Sequence, residues 1–200
     1  MKYNKIIQAF TRNGYQVSYF ETAAEAANYL EGCVNSMTVG FGDSATLAAL
    51  KLAERLSNNN DITDPSSYTG EEFREVAKQA LLTDMFFTSV NGASETGELV
   101  NIDGTGNRVA GSLFGHKKVF FVFGTNKIEP TLEKAIWRAR NIAAPQNAKR
   151  FGYHTPCAVK GDRCYNCSSL DRICNTMNIH LKKMKGVEAE VIIINENLGM

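Results

Sequence analysis

Between Asp84 and Ile128 the chain concentrates side chains able to hold or transform a small anion. Asn91, Ser94, Glu95, Thr96, Asn101, Asp103, Asn107 and Arg108 follow one another, interspersed with Gly92, Gly97, Gly104 and Gly106. Glycines let a backbone turn tightly or approach a ligand. A carboxylate such as Glu95 in Ser94-Glu95-Thr96-Gly97 can serve as nucleophile, general base or ligand anchor. The plainer reading is a surface turn with a solvated glutamate, as most glutamates are. No histidine adjoins it in sequence; His116 and His154 would have to approach through the fold. Arg108 and Lys127 are the cations placed to hold a phosphate or carboxylate in a shared cleft. Lys117 and Lys118 read as solvated residues before a strand, and Arg138 and Arg140 complete the basic set.

A second stretch, Val39-Gly40-Phe41-Gly42-Asp43-Ser44-Ala45-Thr46, ends a strand in a Gly-x-Gly turn and opens a helix at Ser44 or Thr46. Free N–H groups and the positive helix end make such a turn a natural anion site. It lacks the third glycine of a dinucleotide fingerprint and the Gly-Lys-Ser of a P-loop. The glycines also suffice simply to make the turn, with Asp43 or Ser44 as helix cap. These placements gather Gly40, Gly42, Ser44, Asn91, Glu95, Thr96, Arg108 and Lys127 as the expected site for a small anionic metabolite.

The third stretch is Cys157-x6-Cys164-x2-Cys167-x6-Cys174, which holds four of the five cysteines; Cys33 stands apart. Four thiolates so close can close a tetrahedral zinc site or hold an iron–sulfur cluster. Reduced, unliganded thiols are the alternative. The ligand set does not choose between the two metals. The cytosolic reading of this spacing favours metal over disulfides.

The elements that must position these groups follow from hydrophobic pattern. Residues 37–41, 85–90, 119–123 and 191–194 are short apolar runs of the kind found in buried parallel strands, and 15–20 alternates toward a fifth. Helical patterns occupy about 3–12, 23–30, 44–56, 70–82 and 131–143, with Thr22 a cap for the second and Pro145 a stop for the last. The run 57–69 reads as a surface loop. Alternating strands and helices predict one α/β domain over 1–200, a mostly parallel central sheet with helices on both faces, and 157–174 as a metal segment inside it. The 200 residues, 44% hydrophobic and 22% charged, suit a soluble globular chain, and a net charge of +1 gives no argument for nucleic acid. No apolar run approaches the roughly 20 residues of a membrane span, and the N-terminus lacks a secretory pattern, so a cytoplasmic location is expected.

Taken together, GFGDSATL, SVNGASETGELVNIDGTGNRVAG, VFGTNKI, RARNIAAPQN and the cysteine spacing resemble the LUD-domain family (also known as DUF162), the lactate-utilisation proteins, over about residues 4–199. The resemblance implies a fold akin to the sugar-phosphate isomerase and CoA-transferase superfamily. It also implies a place in a cytoplasmic system oxidising L-lactate to pyruvate beside iron–sulfur partner proteins. Gly40-Phe41-Gly42-Asp43-Ser44 is similar to the phosphate loop of ribose-5-phosphate isomerases, with Asp43 added before Ser44. Ser94-Glu95-Thr96-Gly97 is similar to the motif around the CoA-transferase nucleophile, with Thr96 in place of Asn, which makes Glu95 the candidate catalytic residue. The expectations are thus an enzyme of small-acid metabolism, a ligand-binding or electron-transfer subunit docking on iron–sulfur proteins, or a transferase- or isomerase-like enzyme.

Overall fold

Strand β7 (Lys118–Gly124), KVFFVFG, lies inside the sheet and is buried after its first residue. Alternation sends Val119, Phe121 and Phe123 to one face and Phe120 and Val122 to the other, so both faces must be covered. The computed structural model describes residues 3–200. Around β7 the described residues form a six-stranded sheet in the order β1 (Gln16–Phe20), β10 (Glu188–Ile194), β7, β4 (Met85–Thr88), β2 (Thr38–Phe41), β3 (Asp61–Thr63). Every pairing is parallel. The four apolar runs expected to share one sheet do so.

One face is covered by α2 (Ala23–Cys33), α3 (Ala45–Ala49) and α4 (Leu52–Leu56), whose Leu30, Leu47, Leu52 and Leu56 pack on Phe41, Phe87 and Phe120. Thr22 caps α2 through a complete capping box with Glu25. The expected helix over 44–56 is two helices, because Lys51 takes a left-handed conformation (φ +50°) between them. The expected loop 57–69 contains β3 and a short 3-10 turn at Pro65–Ser67.

The other face carries helices, as expected, together with a second sheet. Phe10 of α1 (Asn4–Arg12) packs there, beside a second, four-stranded sheet in the order β8 (Ile128–Glu129), β5 (Gly92–Ser94), β6 (Leu99–Asp103), β9 (Thr176–His180). The stretch 91–103, polar and glycine-rich in sequence, is therefore largely a hairpin: Ala93 and Leu99 join the core on one side, and Val100 and Ile102 pack on the other. Helices α5 (Gly70–Ala80) and α6 (Asn107–Leu113) flank β2 and β4. Gly111 gives Phe86 room, since a methyl there would meet the ring at 2.4 Å.

Helix α7 (Leu132–Arg138) packs Ala135 on the far side of the small sheet, and Ala139 just after it does the same. Pro145 does not stop it. A π-helical turn, Ala139–Ala143, leads directly into α8 (Ala144–Arg150), where Pro145 sits in the first turn and needs no donor N–H. After α9 (Pro156–Lys160), residues 161–175 have no regular structure, and the chain then forms β9. No helix among the described residues is long and apolar enough to cross a membrane.

Candidate functional site

Because the main sheet is parallel, the loops after β2, β4, β7 and β10 leave it at one end, where open α/β sheets place ligands. Lys127, just beyond β7 in a short 3-10 turn, is 3% exposed. Its Nζ donates to Thr46 Oγ1 (2.9 Å) and to Ser89 Oγ (3.1 Å). Thr46 comes from α3 behind the Gly42 turn, and Ser89 follows β4. Among the described residues no carboxylate pairs with this ammonium. Burial, reinforced by the nearby Arg138 and Arg108 guanidiniums, pulls the Lys127 pKa down from 10.5 to about 7.

The two arginines are fastened by backbone rather than by strong ion pairs. Arg138 reaches from α7 under the small sheet and donates to Asn91 O (2.6 Å) and Asn126 O (3.1 Å), tying together the loops after β4 and β7. Arg108 donates to Ile102 O (2.6 Å), with Asp103 at a longer 3.6 Å. Asn91 Oδ1 accepts from Ile102 N–H (2.8 Å) and more weakly from Arg108 (3.4 Å). Beside it, the fully buried Asn101 has an Nδ2 donor that lacks a partner among the described residues.

The Gly42 turn adjoins this cluster. Gly42 N–H is already bound to Phe87 O (2.9 Å), and a methyl on Gly42 would stand 2.9 Å from Arg108 Cγ. Asp43 adopts φ +40°. Burial raises its pKa, against the pull of Arg150 and Arg108. Ser44 Oγ caps α3 by accepting from Leu47 N–H. Gly40 lies inside β2, where a side chain would collide with Ala80 O at 2.4 Å; its glycine is explained by the packing of α5.

Of the residues gathered from sequence, the structure thus places Gly42, Asn91, Arg108 and Lys127 in or against one cationic cluster, with Ser44 capping the adjoining helix. Thr46, Ser89, Asn101 and Arg138 join them; Asn101 and Arg138 were noted in sequence in the polar stretch and the basic set, and Thr46 only as a helix start. Glu95 sits at the end of β5. Its carboxylate pairs with Lys5 (2.6 Å), and both side chains are exposed. Thr96 bonds Glu98 (2.5 Å) and makes a short contact with Ser94, so neither residue's bonds reach Lys127.

Two other polar sites have structural explanations. His180 Nε2 and Ser112 Oγ lie 3.0 Å apart but are both buried, and Ser112 also donates to Val109 O. Burial lowers the His180 pKa to about 4. His116 stacks on Phe86 and bonds Thr83 O (2.7 Å). His154 is exposed beside Asp171.

The cysteine segment borders a separate pocket of about 300 Å³, lined by Arg140, Cys164, Asn166, Arg172, Cys174 and Met177 among others. Asn166, at φ +47°, directs its N–H to Cys164 Sγ (3.4 Å), and Arg140 approaches the same sulfur at 4.0 Å. Arg172 clamps the carbonyls of Cys167 (2.7 Å) and Cys174 (3.0 Å). Burial raises the Cys174 pKa; Arg172 opposes this, while Cys164 and Cys167 add to it. Cys157, on α9, contacts Thr155 Oγ1 (3.2 Å). Among the described residues no three Cys, His, Asp or Glu side chains converge on a point that would hold a metal ion.

Against known proteins, the family model for the LUD domain matches residues 3–194. A crystal structure of a DUF162 family protein from Deinococcus radiodurans superposes with a TM-score of 0.55 at 15% identity, covering 97% of this chain and 99% of that one. At that identity the likeness speaks for the fold alone. Comparison with curated proteins returned no match.

Proposed function

This chain belongs to the LUD-domain family, and from that premise we propose that it binds a small carboxylate metabolite, a 2-hydroxy or 2-oxo acid of the lactate–pyruvate type, at the strand ends around Lys127. One observation carries the reading: a buried ammonium flanked by two guanidiniums and lacking a carboxylate among the described residues. Uncompensated buried charge is costly, and proteins keep it where a ligand supplies the opposite sign. The carboxylate would face Lys127 and Arg108. The hydroxyls of Thr46 and Ser89 are positioned for the 2-oxygen, and Asn101 Nδ2 offers a further donor. Isothermal titration with L-lactate and pyruvate tests it. The expected result is binding that Lys127→Met removes; equal binding by that variant would refute the site.

Whether the bound acid is also turned over is asked of Glu95. The likeness of its motif to transferases supports a role as nucleophile or base, for which its exposed carboxylate would have to leave Lys5 and turn to the bound acid. Turnover lost in Glu95→Gln with binding retained would support catalysis. Binding without turnover in the wild type would mark a ligand-binding subunit.

The cysteine segment supports a second reading, a metal-bearing subunit that passes electrons to iron–sulfur partners. An N–H directed at Cys164 Sγ from a left-handed Asn166 is the kind of bond that stabilises a metal-bound thiolate, and two arginines would offset the charge of a thiolate-ligated centre. The donor types fit zinc or an iron–sulfur cluster. Their present spread means the segment must close around the metal. Anaerobically purified protein that is brown with broad visible absorption would identify a cluster, and stoichiometric zinc a structural site. Metal-free protein from anaerobic cells would rule out both.

A further inference from the structure

Beyond β10 the chain stays at the strand ends. Asn195 N–H donates to Phe20 O (2.9 Å), and Glu196 accepts from Ala23 N–H (2.8 Å) at the start of α2. Gly124 passes beneath so closely that a methyl there would lie 2.3 Å from Glu196 O. Leu198 is buried; its N–H donates to Asn126 Oδ1 (3.1 Å), and its carbonyl accepts the Thr46 hydroxyl at 3.3 Å. Gly199 then crosses the cluster at φ +65°, where a methyl would stand 2.5 Å from Thr46 Oγ1 and 3.2 Å from Lys127 Nζ. Residues 198 and 199 therefore lie directly on the two groups assigned above to ligand binding.

We propose that residues 195–200 form a strap over the Lys127–Thr46 subsite, and that strap and ligand compete for it; the inference rests on the anion reading above. The Leu198 carbonyl accepts the hydrogen bond that a ligand oxygen would otherwise take, and Gly199 closes the direct approach to the ammonium. Asn195 and Glu196 anchor the base of the strap on Phe20, Glu21 and Ala23. The part over the subsite, residues 198–199, is held by one buried leucine and the two hydrogen bonds of Leu198, the scale of local openings that proteins make without global unfolding. A ligand that binds only the open form has its affinity reduced by the fraction of molecules open. The strap thus sets both access to Lys127 and the apparent affinity of the site, and glycine at 199 is what allows a close-fitting cover.

Strap opening can be read without any ligand. Full-length wild type, Gly199→Ala and Leu198→Ser would be treated with an amine-acylating reagent at pH 8, and the rate at Lys127 followed by peptide mass spectrometry against exposed Lys182. Both variants are expected to speed Lys127 acylation about 10-fold or more, as the open fraction grows, with circular dichroism unchanged. L-lactate should slow that acylation. Acceleration without protection by lactate would keep the strap and discard the anion site. Protection without acceleration would keep the site and overturn the strap. If both variants lose their fold, the segment is structural closure and the strap is likewise overturned.

Discussion

A half-buried lysine opens strand β7 and a fully buried one lies just beyond its other end, and the two are treated differently. At its start, Lys118 meets Glu190 at 2.7 Å and also donates to Gln16 (2.9 Å), while Glu190 accepts further bonds from Ser18 and Tyr29. Burial alone would raise the Glu190 pKa; the bonds from Lys118, Ser18 and Tyr29 outweigh it and hold the carboxyl below its usual range. Just past the other end, Lys127 has two hydroxyls and two nearby guanidiniums. The amino end of the sheet completes its charge internally. The carboxyl end leaves its charge open, and the same strand therefore separates a structural pair from the cluster proposed to bind an anion.

The largest test of this contrast breaks the paired end. Lys118→Met leaves Glu190 buried without its cation and is expected to cost about 3–5 kcal/mol in urea denaturation, with binding at the other end unchanged. Lys127→Met should do the reverse. It removes a charge the fold disfavours, so stability at pH 6 should rise by about 1–3 kcal/mol while lactate binding disappears. The pH dependence separates the ends further. Between about pH 7 and 10.5 the unfolded chain holds a proton on Lys127 that the folded chain lacks, so wild-type stability gains from this group as pH rises. That gain vanishes in Lys127→Met. The Glu190 pair acts with the same sign but in the acid range: its contribution is present at neutral pH and lost as acid protonates the carboxyl. A smaller effect is expected from Gly42→Ala, whose methyl must displace the Arg108 stem. It should weaken lactate binding several-fold and cost about 1 kcal/mol. No change in binding would detach the Gly42 turn from the site.

Much of the main sheet was legible because its strands are short unbroken apolar runs, and Thr22 was readable as the cap of α2, which the structure completes as a box with Glu25. The second sheet was hidden. β5 is the small-residue triplet Gly92–Ser94, β8 is two residues long, and β6 carries the buried Asn101 and Asp103 where a strand pattern calls for apolar side chains. Lys118 was misread as solvated because the partner that buries it, Glu190, is 72 residues away. The cluster shows the same limit. Lys127 and Arg108 were visible as cations near glycine-rich turns, but Thr46 and Ser89 look like ordinary hydroxyls. Only the parallel order of β2, β4 and β7 brings them to one ammonium.

The most direct measurement is the titration of the Lys127 side chain itself, by NMR of ¹³C-labelled lysine with Lys127→Met for assignment. The resonance should titrate near pH 7, far from the other lysines, and its pKa should rise when L-lactate is added, because a bound carboxylate favours the charged amine. A pKa near the ordinary 10.5, unmoved by lactate, would contradict an open, buried cationic site at this end of the sheet.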